Sequence, residues 1–224
     1  MRIRYNRKAR PALDSCAFYV RSPKDLRGRW AGEFAAGRPL YLELGCGKGS
    51  FIAETAASHP ECSFIAADIK SEMLYLAMKN IEKSFGEAGR EPDNVLISVM
   101  QIMLIGDYFS KEDAVDGIYI NFCNPWPKHK HHKRRLTHPQ QLMQYREFLK
   151  DGGSIMFRTD DDDLYRDSLG YFKSCGFSIE TSGSYASRDD PARPDIAFTE
   201  HELMFLGEGK PISYLRAVKM PLSD

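Results

Sequence analysis

From Leu40 to Val218, short apolar runs alternate with segments whose apolar residues recur every three or four positions. No other feature of the chain restricts its fold as much. Candidate strands are residues 40–44, 63–67, 94–99, 117–122, 154–158, 177–181 and 212–218. The spacing predicts helices over 50–58, 71–85, 139–150 and 161–175, with a shorter one over 200–206. Strands separated by helices of about 9 to 15 residues form βαβ units, so the expected fold is α/β: a doubly wound, mostly parallel sheet with helices on both faces. Thr137-x-x-Gln140 reads as a capping box that opens the helix at 139. Residues 1–38 read as an N-terminal basic arm with a helical patch over 25–35, and residues 39–224 as one domain.

Glu43-Leu44-Gly45-Cys46-Gly47-Lys48-Gly49 follows the first strand and opens the first helix. Glycines there let the backbone turn tightly and approach a ligand. Two ligand classes fail on spacing. The dinucleotide fingerprint needs a third glycine where Ser50 stands, and a phosphate loop needs Ser or Thr directly after Gly-Lys, where Gly49 stands. The second strand ends at Asp68, 23 residues beyond Gly45. A carboxylate so placed can accept both hydroxyls of a ribose; an ordinary acid ahead of a helix is the alternative.

The fourth strand runs into Asn121-Phe122-Cys123-Asn124-Pro125-Trp126-Pro127, and the eight residues from Lys128 to Arg135 then hold five Lys/Arg and three His. Proline fixes φ and cannot extend a ladder, so the strand must give way to a stiff loop. Ligands of open α/β sheets bind at such carboxyl edges, and a basic run there suits a polyanion better than a solvated charged loop does. Formal net charge is zero, but charge acts locally. Arg2, Arg4, Arg7, Lys8 and Arg10 form a second basic patch, and two patches can bind RNA phosphates on a neutral protein. His129, His131 and His132 would bind a metal only against the repulsion of five neighbouring cations, so no metal is expected. No apolar run reaches the ~20 residues of a membrane span. Five scattered cysteines without a Cys-x-x-Cys pair fit a reducing cytoplasm.

These segments resemble the bacterial tRNA (guanine-N7-)-methyltransferase family. Its signature is a strand, Phe-x-Asp-Pro-Trp-Pro-Lys, and a Lys/Arg/His-rich run ending in Arg-Arg. The acidic-x-Gly-x-Gly-x-Gly loop is similar to the first motif of S-adenosylmethionine methyltransferases, whose fold is a seven-stranded Rossmann-like sheet with a final hairpin-like pair. The resemblance implies S-adenosylmethionine as cofactor, held by Glu43, Gly45, Gly47, Gly49, Asp68, Gln101 and Asn124. It implies tRNA as substrate, bound by Lys128, Lys130, His131, His132, Lys133, Arg134 and Arg135, with position 46 the expected target. Asp160, Thr199 and Glu202 match positions that contact the target guanine, and Asn124 and Asp160 are the catalytic candidates. This chain departs from the family at Asn124 and Gln101, where acids are usual, and at His201 in place of tyrosine. Ser184-Tyr185-Ala186 stands where the family has Asp-Leu-His. The expectation is therefore an N7 methyltransferase working as monomer or homodimer. A catalytically weak or inactive paralogue that binds S-adenosylmethionine and tRNA is the alternative, and a small-molecule methyltransferase is the third reading.

Overall fold

In a computed structural model of the chain, described for residues 6–221, the alternation builds one sheet of eight strands in the order β1-β4-β3-β2-β5-β6-β8-β7. The strands are β1 (Tyr19–Val20), β2 (Leu40–Leu44), β3 (Ser63–Asp68), β4 (Val95–Val99), β5 (Val115–Asn121), β6 (Leu149–Thr159), β7 (Phe177–Tyr185) and β8 (Ile212–Lys219). All pairings are parallel except those of β8, which runs antiparallel to both β6 and β7. The seven expected strands are present, and β1 is added at the edge. It is only two residues long, paired Tyr19↔Ile97 and Val20↔Ser98, too short to give a periodic signal.

Helices α1 (Ala9–Asp14), α2 (Ser50–Ser58), α3 (Ser71–Glu87), α4 (Pro139–Phe148), α5 (Asp162–Ser174) and α6 (Glu200–Gly207) connect or flank the strands. In α3, buried Leu74, Ala77, Met78, Ile81 and Phe85 fall on one stripe at helical spacing. They pack with Ile52, Ala53 and Ala56 of α2 on one side of the sheet, while Leu142, Tyr145, Leu164 and Phe172 pack on the larger cluster. Two boundaries differ from the sequence expectation. Helix α4 stops at Phe148, and Leu149 is already extended (φ -76°, ψ 132°) and paired with Val115 as the first residue of β6. The cap of α4 is His138, whose ring accepts from the Gln140 N–H at 3.3 Å, while the Thr137 hydroxyl bonds that of Ser168 at 2.7 Å.

The helical patch expected over 25–35 is two separate 3₁₀ turns, Pro23–Leu26 and Trp30–Glu33. Gly28 at φ +76° breaks it, and Asp113 holds the break by accepting from the N–H groups of Gly28 (2.9 Å) and Trp30 (3.1 Å). Trp30 is fully buried, stacked on Phe109, with its indole N–H donating to the Tyr108 carbonyl at 2.8 Å. The segment before β2 thus packs into the main core. Arg2 and Arg4 of the basic patch lie outside the described residues, whereas Arg7, Lys8 and Arg10 are exposed. Trp30→Ala should cost about 3–5 kcal/mol, the usual range for removing a buried large aromatic side chain. Urea unfolding should show that loss in one transition for the whole chain; an unchanged midpoint would mean the segment folds apart from the sheet.

Candidate active site

Strands β3 and β4 lie on one side of β2, and β5 and β6 on the other, so the strand order reverses between β2 and β5. The loops leaving the carboxyl ends of these two strands diverge, which opens a crevice. A cavity of about 580 Å³ occupies it. Its wall includes Gly45 to Lys48 after β2, Phe122 to Pro125 after β5, Asp160 and Asp161 after β6, and Thr199, His201 and Phe205.

The glycine loop leaves room for a ligand. Gly45 and Gly47 have φ +79° and +56°, and a Cβ on either would meet only a side-chain tip at 3.7 Å, so their missing side chains leave cavity space. The N–H groups of Gly45 and Cys46 both donate to the Ala67 carbonyl, at 2.8 and 3.0 Å, tying the turn to the end of β3. Gly49 has a different task. A Cβ there would lie 2.6 Å from that of Ala77, so this glycine permits close packing of α2 on α3 and is off the cavity wall. Asp68 stands beside the loop, accepting from the Gly47 N–H (3.1 Å) and the Lys70 N–H (2.9 Å). Burial raises its pKa, against those two hydrogen bonds. Gln101 is exposed and off the wall.

Glu43 at the end of β2 is buried at 3% exposure and lines the cavity. Its Oε1 accepts from the Asn121 amide at 3.1 Å, and its Oε2 is buried with no partner. Burial pushes this carboxyl up to about 8, with Asn121 and Arg158 opposing. Beyond Asn121 the network continues. Arg158, fully buried, donates from Nε to Asn121 Oδ1 (2.8 Å) and from one terminal nitrogen to Glu202 Oε2 (2.7 Å). Glu202 Oε1 accepts from the Tyr185 hydroxyl (2.8 Å) and Arg193 (2.9 Å). Thr199 and Glu202 cap α6 reciprocally, each side chain taking the other's backbone N–H.

This geometry gives structural tasks to two residues expected to contact guanine. The Glu202 carboxylate is wholly buried, both oxygens are already engaged, and it does not reach the cavity. The Thr199 hydroxyl is used as the cap of α6, although the residue borders the cavity. Tyr185, unexplained by sequence, is accounted for by its bond to Glu202. Asp160 is exposed on the wall.

The loop after β5 is held in an unusual backbone. Phe122 and Trp126 are two of three non-glycine residues with positive φ among the described residues, at +50° and +45°. Asn124 Oδ1 accepts from the Trp126 N–H at 3.0 Å, so this side chain shapes the turn as well as facing the cavity. In the basic run, Lys128, Lys130, Lys133 and Arg134 are exposed, and His131 and His132 are half-buried. The Arg134 guanidinium lies 5.1 Å over the Trp126 ring. Arg135 is the exception. At 1% exposure it donates to the Pro125 carbonyl (2.7 Å) and to Asp167 (2.5 Å), so it anchors the loop and cannot reach a phosphate. Among the described residues, no three His, Cys, Asp or Glu side chains gather as a metal site, and no helix is long and apolar enough to cross a membrane. Burial raises the thiols of Cys46 and Cys123, the latter to about 12.

Sequence reading missed Asn121, Arg193 and the Lys48–Glu200 ion pair, which links the glycine loop to α6 at 2.8 Å. A usable signal existed for Asn121 and for its partner Arg158, each a polar side chain at the end of an apolar strand.

A family described as "Putative methyltransferase" matches residues 37–215. A tRNA (guanine-N(7)-)-methyltransferase of Clostridium beijerinckii is 49% identical over 98% of this chain and 99% of its own length. Among solved structures, an antibiotic-related methyltransferase superposes with a TM-score of 0.58 at 18% identity, covering 88% of this chain and 94% of that one. Phosphoethanolamine N-methyltransferase 2 of Haemonchus contortus, solved with S-adenosyl-L-methionine, gives 0.51 at 15% identity, covering 86% of this chain and 53% of that one. At these identities the two structures speak to the fold, the Rossmann-like α/β type expected from the sequence.

Glu43 generates a pH prediction. Its carboxyl is raised from 4.5 to about 8 only in the folded chain. As pH climbs through that window the unfolded chain gives up its proton first, so folded-state stability falls. Glu43→Gln removes the titration but keeps an acceptor for Asn121. The difference between the two urea midpoints should therefore be constant below about pH 4.5 and then shift steadily in favour of the variant up to about pH 8. An offset that does not change with pH would contradict the raised carboxyl.

Proposed function

The chain belongs to the tRNA (guanine-N(7)-)-methyltransferase family, and we propose that it transfers a methyl group from S-adenosylmethionine to N7 of a guanine in tRNA, in the cytoplasm. The observation that carries this reading is the pairing of two loops at one cavity. A glycine cradle beside Glu43 lies on the cavity after β2, with Asp68 behind it accepting from the Gly47 N–H, and a stiff loop leading into exposed cations lies after β5.

The residues fit the cofactor. Glu43 Oε2 is buried beside the cavity without a partner, and an ammonium group bound there would draw the raised carboxyl back to its ionised form and pair with it. Asp68 can add a ribose hydroxyl to the lone pairs its backbone bonds leave free. Bound there, S-adenosylmethionine supplies an already activated methyl group. Guanine N7 has an in-plane lone pair and no proton, so no general base is needed. The protein's task is alignment, together with stabilisation of the positive charge that develops on the purine. Asp160 suits both, because its carboxylate can accept the N1–H and amino donors of guanine while supplying negative charge. Asn124 adds a dipole. The phosphate contacts fall to Lys128, Lys130, Lys133 and Arg134, with His131 and His132 beside them and Arg7, Lys8 and Arg10 as a second patch. Arg135 and Glu202 act by holding these groups in place.

Nucleoside mass spectrometry of tRNA incubated with the protein and labelled S-adenosylmethionine tests the reading, with 7-methylguanosine as the expected product. Replacing Lys128, Lys130, Lys133 and Arg134 with alanine should weaken tRNA binding and flatten its salt dependence. The expected change is about 0.7–0.9 in log–log slope per lost phosphate contact, with cofactor affinity unchanged. An unaltered slope would return the run to a solvated loop.

Asn124→Asp should methylate faster in single-turnover assays, by up to roughly a hundredfold, the scale of one preorganised electrostatic contact. The turn should survive, because the Trp126 N–H needs only an acceptor. Absence of 7-methylguanosine from both forms, with cofactor and tRNA bound, would sink the enzyme reading.

A further inference from the structure

Besides the buried Phe51 of α2, three aromatic rings line the cavity, and neither the glycine cradle nor the basic run accounts for them. The Phe122 ring lies 6.1 Å from that of His201, nearly parallel at 21°, and 5.8 Å from that of Phe205 at 39°. His201 and Phe205, one turn apart on α6, are 6.2 Å from each other. All three border the cavity.

Core packing does not explain the group. His201 is exposed, Phe122 and Phe205 are half-buried, and none of the three belongs to either buried apolar cluster. Phe122 also has φ +50°, which an L side chain rarely adopts and which persists only where the surroundings hold it. Here its N–H donates to the Arg158 carbonyl at 2.9 Å, fixing a turn with the ring on the cavity wall. A strained, half-buried aromatic beside an exposed one is a surface built for a flat ligand.

We propose that Phe122, His201 and Phe205 form the wall against which the face of the target guanine stacks, with His201 and Phe122 supplying the main contact. The inference rests on the guanine reading above. A base handled by an enzyme leaves its own stack and regains stacking on protein rings. N7 attacks in the plane of the purine, so the ring plane must be fixed before the lone pair can align. A carboxylate such as Asp160 grips one edge but leaves the plane free to rotate. A stacked ring removes that freedom. Histidine at 201 keeps a planar ring where the family pattern has tyrosine.

Steady-state methylation of tRNA by the full-length wild type, His201→Ala, His201→Tyr and Phe122→Gly tests this, alongside calorimetry of S-adenosylhomocysteine. Glycine at 122 removes the ring while accommodating the positive φ, so the loop should keep its path. His201→Ala and Phe122→Gly should each raise KM for tRNA roughly tenfold, the scale of one lost stacking contact. kcat should change less, and S-adenosylhomocysteine affinity should stay within about twofold. His201→Tyr should restore KM. Unchanged kinetics in His201→Ala, or a His201→Tyr enzyme as impaired as His201→Ala, overturns the proposal. A wild type that forms no 7-methylguanosine fails the guanine reading itself, before any variant is compared, and this inference falls with it.

Discussion

Arg158 is the side chain on which the rest of the site depends. A guanidinium at 0% exposure is tolerable only if its charge and its N–H groups are met, and here Asn121, Glu202 and the Ala197 carbonyl meet most of them. The β5–β6 register sets Arg158 beside Asn121, and Asn121 reaches Glu43 at the end of β2. On the other side, Glu202 fixes the first turn of α6 and gathers Tyr185 of β7 and Arg193. One cation thus ties the strand before the glycine loop to the helix that closes the far wall. Removing one partner of such a buried pair leaves an unmet charge and typically costs 3–5 kcal/mol, whereas an apolar replacement of the whole group can be neutral. What the network provides is therefore position more than stability.

Position is what this chemistry requires. Methyl transfer to an unprotonated ring nitrogen asks little of acid–base catalysis and much of alignment. The buried network holds α6, and α6 presents His201 and Phe205 to the cavity. The same Arg158 fixes Phe122 through its backbone carbonyl. Arg135 does the equivalent work for the basic run, pulling Pro125 and Asp167 together so that four neighbouring cations project outward from a defined turn. In both places a buried arginine orders the backbone, and exposed side chains nearby are left free for a ligand.

The α/β architecture, the seven main strands and the glycine loop were legible in the sequence alone, because these rest on local signals: short continuous apolar runs, a helical period of 3.6, and glycines where φ must be positive. Composition and the Pro-Trp-Pro brackets likewise marked the basic run as a stiff, exposed feature. Tertiary structure decided what each polar residue in those motifs does. Glu202 and Arg135 stand in ligand-binding motifs yet are buried anchors, and Gly49 serves helix packing; nothing local to their positions distinguishes these roles. Burial depends on partners distant in the chain, Arg158 for Glu202 and Asp167 for Arg135. A motif records which residue types occur together, whereas the direction a charged side chain takes is settled by where its counter-charge lies after folding.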